Sequence, residues 1–311
     1  MRVAAVQAAP VYLDTAATVR KTLDLMGKAA TQGADVVCFP ETFVSGYPAW
    51  IAITDAARFD DLGQKKAFAR YLNAAVDLTD ETLAPVIEAA RDLNLFSFLG
   101  ISERSPSGGS VYSSLIAISP REGIVGVHRK LKPTFAERLV WADGDGNGLR
   151  VHSWGKWKVG GLNCWENWMP LARHSLYSQG EHLHIAVWPG TPDITRDISK
   201  FIAMEGRVYV LSVSGILGIE HVPDDFPLYD EMAEVKGWGS TGGTVIVDPR
   251  GETIVGPCVD EEKILYADLD LDLVLEERHN FDPSGHYSRP DVFRLQVDTT
   301  RHQNITHKIG D

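Results

Sequence analysis

The order of predicted strands and helices along the 311-residue chain indicates an α/β domain built in layers. Short apolar runs that are typical of buried strands alternate with longer amphipathic segments that are typical of helices. In two places, neighbouring strands are separated only by a short polar turn, which predicts antiparallel hairpins. Since hairpins are antiparallel and intervening helices favour parallel pairing, the pattern predicts mixed sheets rather than a purely parallel sheet.

The first half of the chain is expected to begin with a strand over residues 3–8. Asp14 precedes an amphipathic segment and is expected to cap a helix that continues to about residue 31. The remaining elements expected in this half are strands over 35–39, 95–102, 111–118 and 124–128, and helices over 56–76 and from 79 or 80 to about 94.

The second half continues the same alternation of strands and helices. The elements expected here are strands over 157–162, 183–187, 208–213, 244–247, 253–255 and 264–268, and helices over 170–179, 194–206 and 270–278. Residues 1–280 show neither a repeat nor a linker and are expected to form one domain. Residues 281–311 are polar, rich in His and Arg and without periodicity, so we expect an extended tail that needs a surface to lie on.

Composition excludes several classes of protein. A formal net charge of -12 repels phosphate backbones, so a nucleic-acid partner is not expected. The short apolar run at the N-terminus ends too soon for a signal peptide, and none of the apolar stretches approaches the ~20 residues of a membrane helix. Three widely spaced cysteines are neither a disulfide framework nor a zinc site, which makes the cytoplasm the expected location.

Three apolar strands are each followed at once by a reactive side chain. Glu41 follows the strand at 35–39, Lys130 follows the strand at 124–128, and Cys164 follows the strand at 157–162. Ligands of α/β sheets bind beyond the carboxyl ends of strands. If these strands share a sheet edge, the three side chains converge there.

A carboxylate, an ammonium and a thiol form a chemically sensible group. A free thiol titrates near about 8.5 and attacks poorly when protonated. A neighbouring carboxylate can accept its proton as a general base, and an ammonium is expected to hold the sulfur close to the thiolate state. Taken one at a time, each residue also has an ordinary structural explanation: a solvated glutamate, a basic surface run and a small buried cysteine.

The sequence around these three residues resembles the signature blocks of the nitrilase superfamily. The resemblance rests on FPETFVSGYP at 39–48, on HRKLKPTFAER at 128–138 with Trp141 and Gly144 to Gly146 beyond it, and on NCWENWMPL at 163–171. It extends from residue 1 to about residue 290, with the blocks in the family's order. The CWEN form of the third block and HYSRPD at 286–291 resemble the true nitrilase branch rather than the amidase branches.

The resemblance implies both a fold and a site. The implied fold is a four-layer αββα sandwich, doubled across a dimer. Glu41 is implied to be the general base, Lys130 the electrophilic stabiliser and Cys164 the nucleophile, with Glu137 positioning the lysine and the substrate. The implied reaction is hydrolysis of an organic nitrile to a carboxylic acid and ammonia through a thioimidate and a thioester, with the backbone N–H of Trp165 supporting the developing charge. Such a mechanism requires neither a cofactor nor a metal.

The substrate pocket is expected to include Tyr47, Trp165, Trp188 and Pro189. Trp188 and Pro189 follow the strand at 183–187, where the family places a wall of the pocket, although plain core packing explains Trp188 equally well. His182 and His184 on the same strand offer two imidazoles, but a third metal ligand is missing from the pattern.

Alternatives remain at this point. A cyanide-degrading or amide-hydrolysing relative would share the same blocks, and the acid-to-amide product ratio does not follow from side-chain identity. A non-catalytic assembly protein on the same scaffold is a more distant alternative, because the three reactive residues are all present.

The helix at 170–179 and apolar residues in the tail predict a homodimer or a larger homo-oligomer. The apolar residues concerned are Leu171, Leu176, Tyr177, Tyr287, Val292, Phe293 and Leu295.

Overall fold

Two β-sheets packed face to face form the centre of the protein. The computed structural model describes residues 1–302, apart from the side chain of Ile194. The strands are β1 (Arg2–Gln7), β2 (Val36–Cys38), β3 (Phe96–Arg104), β4 (Val111–Ser119), β5 (Gly123–Arg129), β6 (His152–Trp154), β7 (Trp157–Asn163), β8 (Leu183–Trp188), β9 (Tyr209–Ser214), β10 (Ile216–Leu217), β11 (Ser240–Val247), β12 (Thr253–Val259) and β13 (Lys263–Asp268).

Helices alternate with the strands along the chain. They are α1 (Thr15–Thr31), α2 (Trp50–Ile53), α3 (Leu62–Ala74), α4 (Ala84–Asp92), α5 (Pro170–Tyr177), α6 (Pro192–Gly206), α7 (Tyr229–Glu234) and α8 (Leu271–Asn280), with short 3-10 helices at Phe135–Leu139, Gly146–Gly148, Cys164–Trp168 and Ile219–His221.

Both sheets are mixed, as the sequence predicts. The first has the strand order β13-β1-β2-β3-β4-β5, and the second has the order β10-β11-β9-β8-β7-β6 with β12 paired to β11. Parallel pairs join β1 to β2, β2 to β3, β7 to β8 and β8 to β9. The hairpins β4–β5 and β11–β12 are antiparallel.

The hydrophobic core has three layers, because each sheet buries both of its faces. Between the sheets, residues such as Val36 and Phe98 of the first sheet pack with Val159 and Leu211 of the second. The outer face of the first sheet is covered by α1 and α4, and that of the second by α6 together with Tyr177 of α5. The αββα sandwich implied by the resemblance is therefore confirmed.

The sequence misplaced some helix boundaries for local reasons. The helix expected over 56–76 begins only at Leu62, because the Asp61 side chain accepts from the N–H of Gln64 and caps it. The helix expected from residue 79 or 80 begins at Ala84. Before it, Asp77 and Asp80 accept backbone N–H bonds two residues ahead and hold the chain in turns. Four short elements, α2, α7, β6 and β10, do not correspond to any predicted element.

The segment after α8 runs along the surface of the domain that precedes it. Residues 281–302 contain neither helix nor strand, and residues 303–311 of the predicted tail lie outside the described part of the chain. Near its end, Arg301 forms an ion pair with Asp145, whose side chain is only 1% exposed, and donates to the carbonyl of Val127. Gly144, beside Asp145, donates to the Lys130 carbonyl, so the tail braces the loop behind Lys130.

The three cysteines are unpaired. Cys38, Cys164 and Cys258 are all free and buried. Across residues 1–302, none of the helices combines the length and apolar character needed to cross a bilayer.

Replacing Arg301 with Met is expected to lower the free energy of unfolding by about 1–3 kcal/mol, because the Asp145 carboxylate would stay buried without its cation. Urea denaturation measures the change. Arg289→Met is the matched control, since Arg289 and its partner Asp291 are both exposed and their ion pair is expected to contribute nothing measurable. Equal stability of the Arg301→Met variant and the parent would contradict this role of the tail.

Candidate active site

The three reactive residues predicted from the sequence come together at one end of the sandwich. Glu41 lies three residues after β2, and Lys130 directly follows β5, which runs parallel to β2 in the first sheet. Cys164 directly follows β7, which belongs to the second sheet. The three side chains converge although their strands do not share one sheet edge: the site is built across the interface between the two sheets.

The ammonium of Lys130 lies between two carboxylates. Its Nζ donates to Glu41 Oε1 at 2.9 Å and to Glu137 Oε2 at 2.7 Å. The Lys130 and Glu41 side chains are completely buried, and that of Glu137 is 3% exposed. Burial alone would lower the pKa of Lys130, but the nearby Cys164, Glu41 and Glu137 outweigh it and raise this pKa well above its usual value. Lys130 is therefore a permanent positive charge in a dry site.

Glu41 is poised to exchange a proton near neutral pH. Burial, reinforced by the charge of Glu137 and opposed by Lys130, raises the pKa of Glu41 to about 7. Its Oε1 also accepts from Ser113 Oγ at 3.0 Å. Within residues 1–302, its Oε2 is buried without a hydrogen-bond partner. One carboxylate oxygen is thus free to receive a proton.

Cys164 occupies a strained turn close to both carboxylates. Its φ is 50°, in the left-handed region that non-glycine residues seldom adopt. Its Sγ and one oxygen each from Glu41 and Glu137 lie within 4.8 Å of one another. Burial, together with both carboxylates, raises the pKa of the thiol well above its usual value, although Lys130 and the Trp165 backbone N–H oppose the change. The expectation of a sulfur held near the thiolate state is therefore wrong, and attack requires a base.

Glu137 is fixed by a short 3-10 helix rather than by a strand. Its Oε2 accepts from the backbone N–H of Thr134 at 2.6 Å, and its Oε1 accepts from Tyr47 OH at 3.0 Å. Trp141 lies beyond the same helix, with its ring 5.2 Å from Lys130 Nζ. The aromatic ring covers the ammonium and excludes water from one side of it.

Sequence reasoning gave no role to Glu166, although it is part of the CWEN block. Its Oε1 accepts from the Asn163 N–H and contacts His128 Nε2 at 2.6 Å, while its Oε2 accepts from the Leu131 N–H at 2.9 Å. These partners flank Cys164 and Lys130. One buried carboxylate therefore ties the nucleophile turn of the second sheet to the lysine strand of the first.

A cavity of about 180 Å³ opens onto the thiol and includes all four residues predicted for the pocket. Trp188 is 1% exposed, and its Nε1 donates to Ser212 Oγ at 2.9 Å, so it forms a fixed wall beside Pro189. Trp165 is 45% exposed and stacks on Trp168. Residues that the sequence did not indicate complete the lining: Ala52, Thr134, Phe135, Ala136, Gly190, Thr191 and Thr195.

The donor set at the site suits a proton reaction better than a metal ion. Among the described residues, Glu41, Glu137 and Cys164 are grouped closely enough to coordinate one ion. The Lys130 ammonium already bonds to both carboxylates, so a cation would meet like charge there. His184, one of the two strand histidines, bonds instead to Asn167 and Glu181.

Comparison with known proteins identifies relatives along nearly the whole chain. An aliphatic nitrilase of Sinorhizobium fredii (strain HH103) is 40% identical over 303 residues, covering 96% of this chain and 95% of that protein. An aliphatic nitrilase of Rhodococcus rhodochrous is 34% identical over 323 residues, covering 100% of this chain and 82% of that protein.

Solved structures share the fold at low sequence identity. An amidase from Nesterenkonia sp. has a TM-score of 0.64 at 18% identity, covering 90% of this chain and 94% of that chain. The C. elegans NitFhit protein has a TM-score of 0.72 at 16% identity, covering 97% of this chain and 68% of that chain.

The family model described as carbon-nitrogen hydrolase matches residues 2–278, which include every strand, the buried Lys130 with its two carboxylates, and Cys164. With relatives at 34–40% identity over almost the full length, this match shows that the chain belongs to the carbon-nitrogen hydrolase family, on the true nitrilase branch.

Proposed function

We propose that the protein hydrolyses organic nitriles to carboxylic acids and ammonia. The observation that carries the proposal is a buried thiol beside a carboxyl group that titrates near pH 7 and a lysine that remains charged. This combination supplies a nucleophile, a base and an electrostatic stabiliser in a site without bulk water. Relatives named nitrilases over nearly the full chain support the substrate class.

In the first half of the reaction, the free oxygen of Glu41 takes the Cys164 proton as the sulfur attacks the nitrile carbon. The carbon–sulfur bond forms while one π bond of the nitrile opens, which places negative charge on nitrogen. The Lys130 ammonium and the Trp165 N–H stabilise that charge. Proton transfer from Glu41 to the nitrogen gives a thioimidate.

In the second half, water adds to the thioimidate carbon after losing a proton to Glu41. Glu41 passes the two protons of this water to the nitrogen of the tetrahedral intermediate. The carbon–nitrogen bond then breaks, ammonia leaves, and a thioester remains. A second water, activated in the same way, releases the carboxylic acid and returns the proton to Cys164. Glu137 keeps Lys130 in place throughout, through their 2.7 Å contact. The proposed mechanism uses neither a cofactor nor a metal.

The pocket supports nitriles with compact apolar groups. A cavity of about 180 Å³ has room for a small substrate, and Trp188, Pro189 and Phe135 give it apolar walls. Tyr47 closes the inner end through its bond to Glu137. Trp165 lines the cavity and is 45% exposed, which supports a role for its ring at the mouth, against the distal part of the substrate.

We also propose that the protein works in the cytoplasm as a homodimer or larger homo-oligomer. Three unpaired thiols suit a reducing compartment. On the outer face of α5 and α6, Leu171, Phe201 and Met204 are exposed, and the guanidinium of Arg173 lies over the Phe201 ring. Exposed apolar side chains on two neighbouring helices are better covered by a second subunit than by water. Residues 281–311 are proposed to contribute to the same interface.

Incubation with a panel of aliphatic and aromatic nitriles, their amides and cyanide, followed by mass spectrometry, is expected to show carboxylic acids formed from the nitriles. Cys164→Ala removes the sulfur and is expected to abolish turnover with an unchanged circular dichroism spectrum. Cys258→Ala is the matched control and should leave turnover unchanged. Cleavage of the amides with all nitriles untouched would overturn the proposal.

The rate constant kcat/KM is expected to rise with pH and level off above about 7. Below that pH, Glu41 is protonated and cannot accept the Cys164 proton; above it, the carboxylate is available. The apparent midpoint belongs to the coupled cluster of Glu41, Lys130, Glu137 and Cys164. Tryptophan fluorescence over the same range checks that the fold persists. A flat profile between about pH 5.5 and 8.5 would contradict the assignment of Glu41 as the base.

Light scattering at micromolar concentration is expected to give at least a dimer of the 34.2 kDa chain. Phe201→Glu places a charge on the apolar face of α6 and is expected to weaken the association. Phe59→Glu changes a fully exposed residue between α2 and α3 and serves as the matched control. An active species with the mass of a monomer would refute the oligomer.

A further inference from the structure

Asn167 holds the backbone on both sides of the nucleophile. Its side-chain nitrogen donates to the carbonyl of Cys164 at 2.9 Å and to that of Leu162 at 3.2 Å. Asn167 is completely buried, and the guanidinium of Arg173 donates to its backbone carbonyl at 2.7 Å. The end of β7 and the strained turn at Cys164 are therefore joined through one amide group.

This contact also sets the direction of the Trp165 N–H. The Cys164 carbonyl and the Trp165 N–H belong to one planar trans peptide, so they point in opposite directions. Fixing the carbonyl on Asn167 therefore fixes the N–H on the opposite side of the peptide, towards the Cys164 sulfur. A hydrogen bond from this N–H opposes the rise in the pKa of the thiol that burial causes. Because Cys164 adopts a φ of 50°, its conformation persists only where the surroundings impose it.

His184 binds the oxygen end of the Asn167 amide. The amide nitrogen already faces two carbonyls, so its oxygen must be the atom that contacts His184 Nε2 at 2.8 Å. An amide oxygen only accepts, and Nε2 must therefore carry a hydrogen. On the other side of the ring, Nδ1 lies 3.0 Å from Glu181 Oε1. A proton shared between Glu181 and Nδ1 leaves the hydrogen on Nε2, whichever of the two holds it.

The chain is shaped to admit this buried pair. Glu181 and His184 are both completely buried. A Cβ on Gly160 would lie 2.3 Å from Glu181 Oε1, so only glycine leaves room there for the carboxyl group. Arg278 of α8 donates to the Glu181 backbone carbonyl. Gly160 of β7 thus makes room for the Glu181 carboxyl group beside His184.

We propose that Asn167 and His184 are positioning residues that aim the Trp165 N–H at the atom on which negative charge develops, with Glu181 fixing the tautomer of His184. This inference rests on the proposed function, in which that N–H stabilises the attacked nitrogen. Neither side chain lines the substrate cavity. Their effect passes through the Cys164–Trp165 peptide, whose carbonyl accepts from Asn167.

The test compares three measurements on the full-length protein. Nitrile turnover reports the whole reaction. Inhibition by n-butyraldehyde reports stabilisation of an oxyanion, because the Cys164 sulfur bonds to the carbonyl carbon, Glu41 takes the thiol proton and the oxygen becomes negative. Alkylation by iodoacetamide displaces iodide from carbon without creating an oxyanion, so it reports only the access and nucleophilicity of Cys164.

His184→Leu removes the donor to Asn167 and is expected to lower kcat by about 100-fold while KM changes by less than about threefold. The aldehyde inhibition constant should rise by about the same factor as kcat falls, and the alkylation rate should change by less than about threefold. In His184→Gln, the side-chain amide can donate from near the position of Nε2. It is therefore expected to keep at least about one third of the parent kcat.

Asn167→Asp is the second variant and carries the test if His184→Leu does not fold. Its carboxylate cannot donate to the two carbonyls, so the same pattern of losses is expected. Parent-like kcat, equal losses in kcat and alkylation, or a His184→Gln variant as impaired as His184→Leu would each overturn the inference. A parent protein that turns over no nitrile, yet is inhibited by the aldehyde, would instead refute the proposed function and leave the aldehyde comparison valid.

Discussion

The ion pairs of Lys130 with Glu41 and Glu137 are the interaction on which the rest of the site depends. An unpaired charge in this interior would lose its hydration without compensation, which disfavours the charged form. The carboxylates keep the lysine charged, and burial, opposed by Lys130 and reinforced by Glu137, brings the pKa of Glu41 to about 7. The same burial that makes the charges costly also makes the lysine effective, because water does not screen it. The site therefore requires a closed sandwich around it.

Closure is provided by the two sheets, and their junction is held by buried polar groups. Glu166 links the turn at Cys164 to His128 and Leu131 around Lys130, so the two sheets cannot slide without breaking charge-assisted hydrogen bonds. Asn167 holds the opposite side of the same turn. Between them, these two residues of the CWEN block keep a backbone conformation that cysteine alone would not adopt.

The raised pKa of the Cys164 thiol limits its reactivity in the resting site. Burial raises the pKa of Cys164 in spite of Lys130, so the sulfur is a weak nucleophile until Glu41 removes its proton. Cys38 and Cys258 lie in the core between the sheets and have raised pKa values through burial as well. Selectivity among the three thiols thus comes from the neighbouring base and the open cavity.

The sequence by itself determined the order of the longer strands and helices, the mixed sheets, and the identity of Glu41, Lys130 and Cys164, because apolar periodicity and strand-end residues are local signals. Through the family resemblance it also predicted that Glu137 and the pocket tryptophans lie near them, with core packing an equal explanation for Trp188. Only the tertiary structure decided that Cys164 belongs to the other sheet, that burial keeps its thiol protonated, and that Glu166, Asn167 and His184 hold its turn. Those facts depend on contacts between distant segments and on exclusion of water, and neither leaves a pattern in a single stretch of sequence.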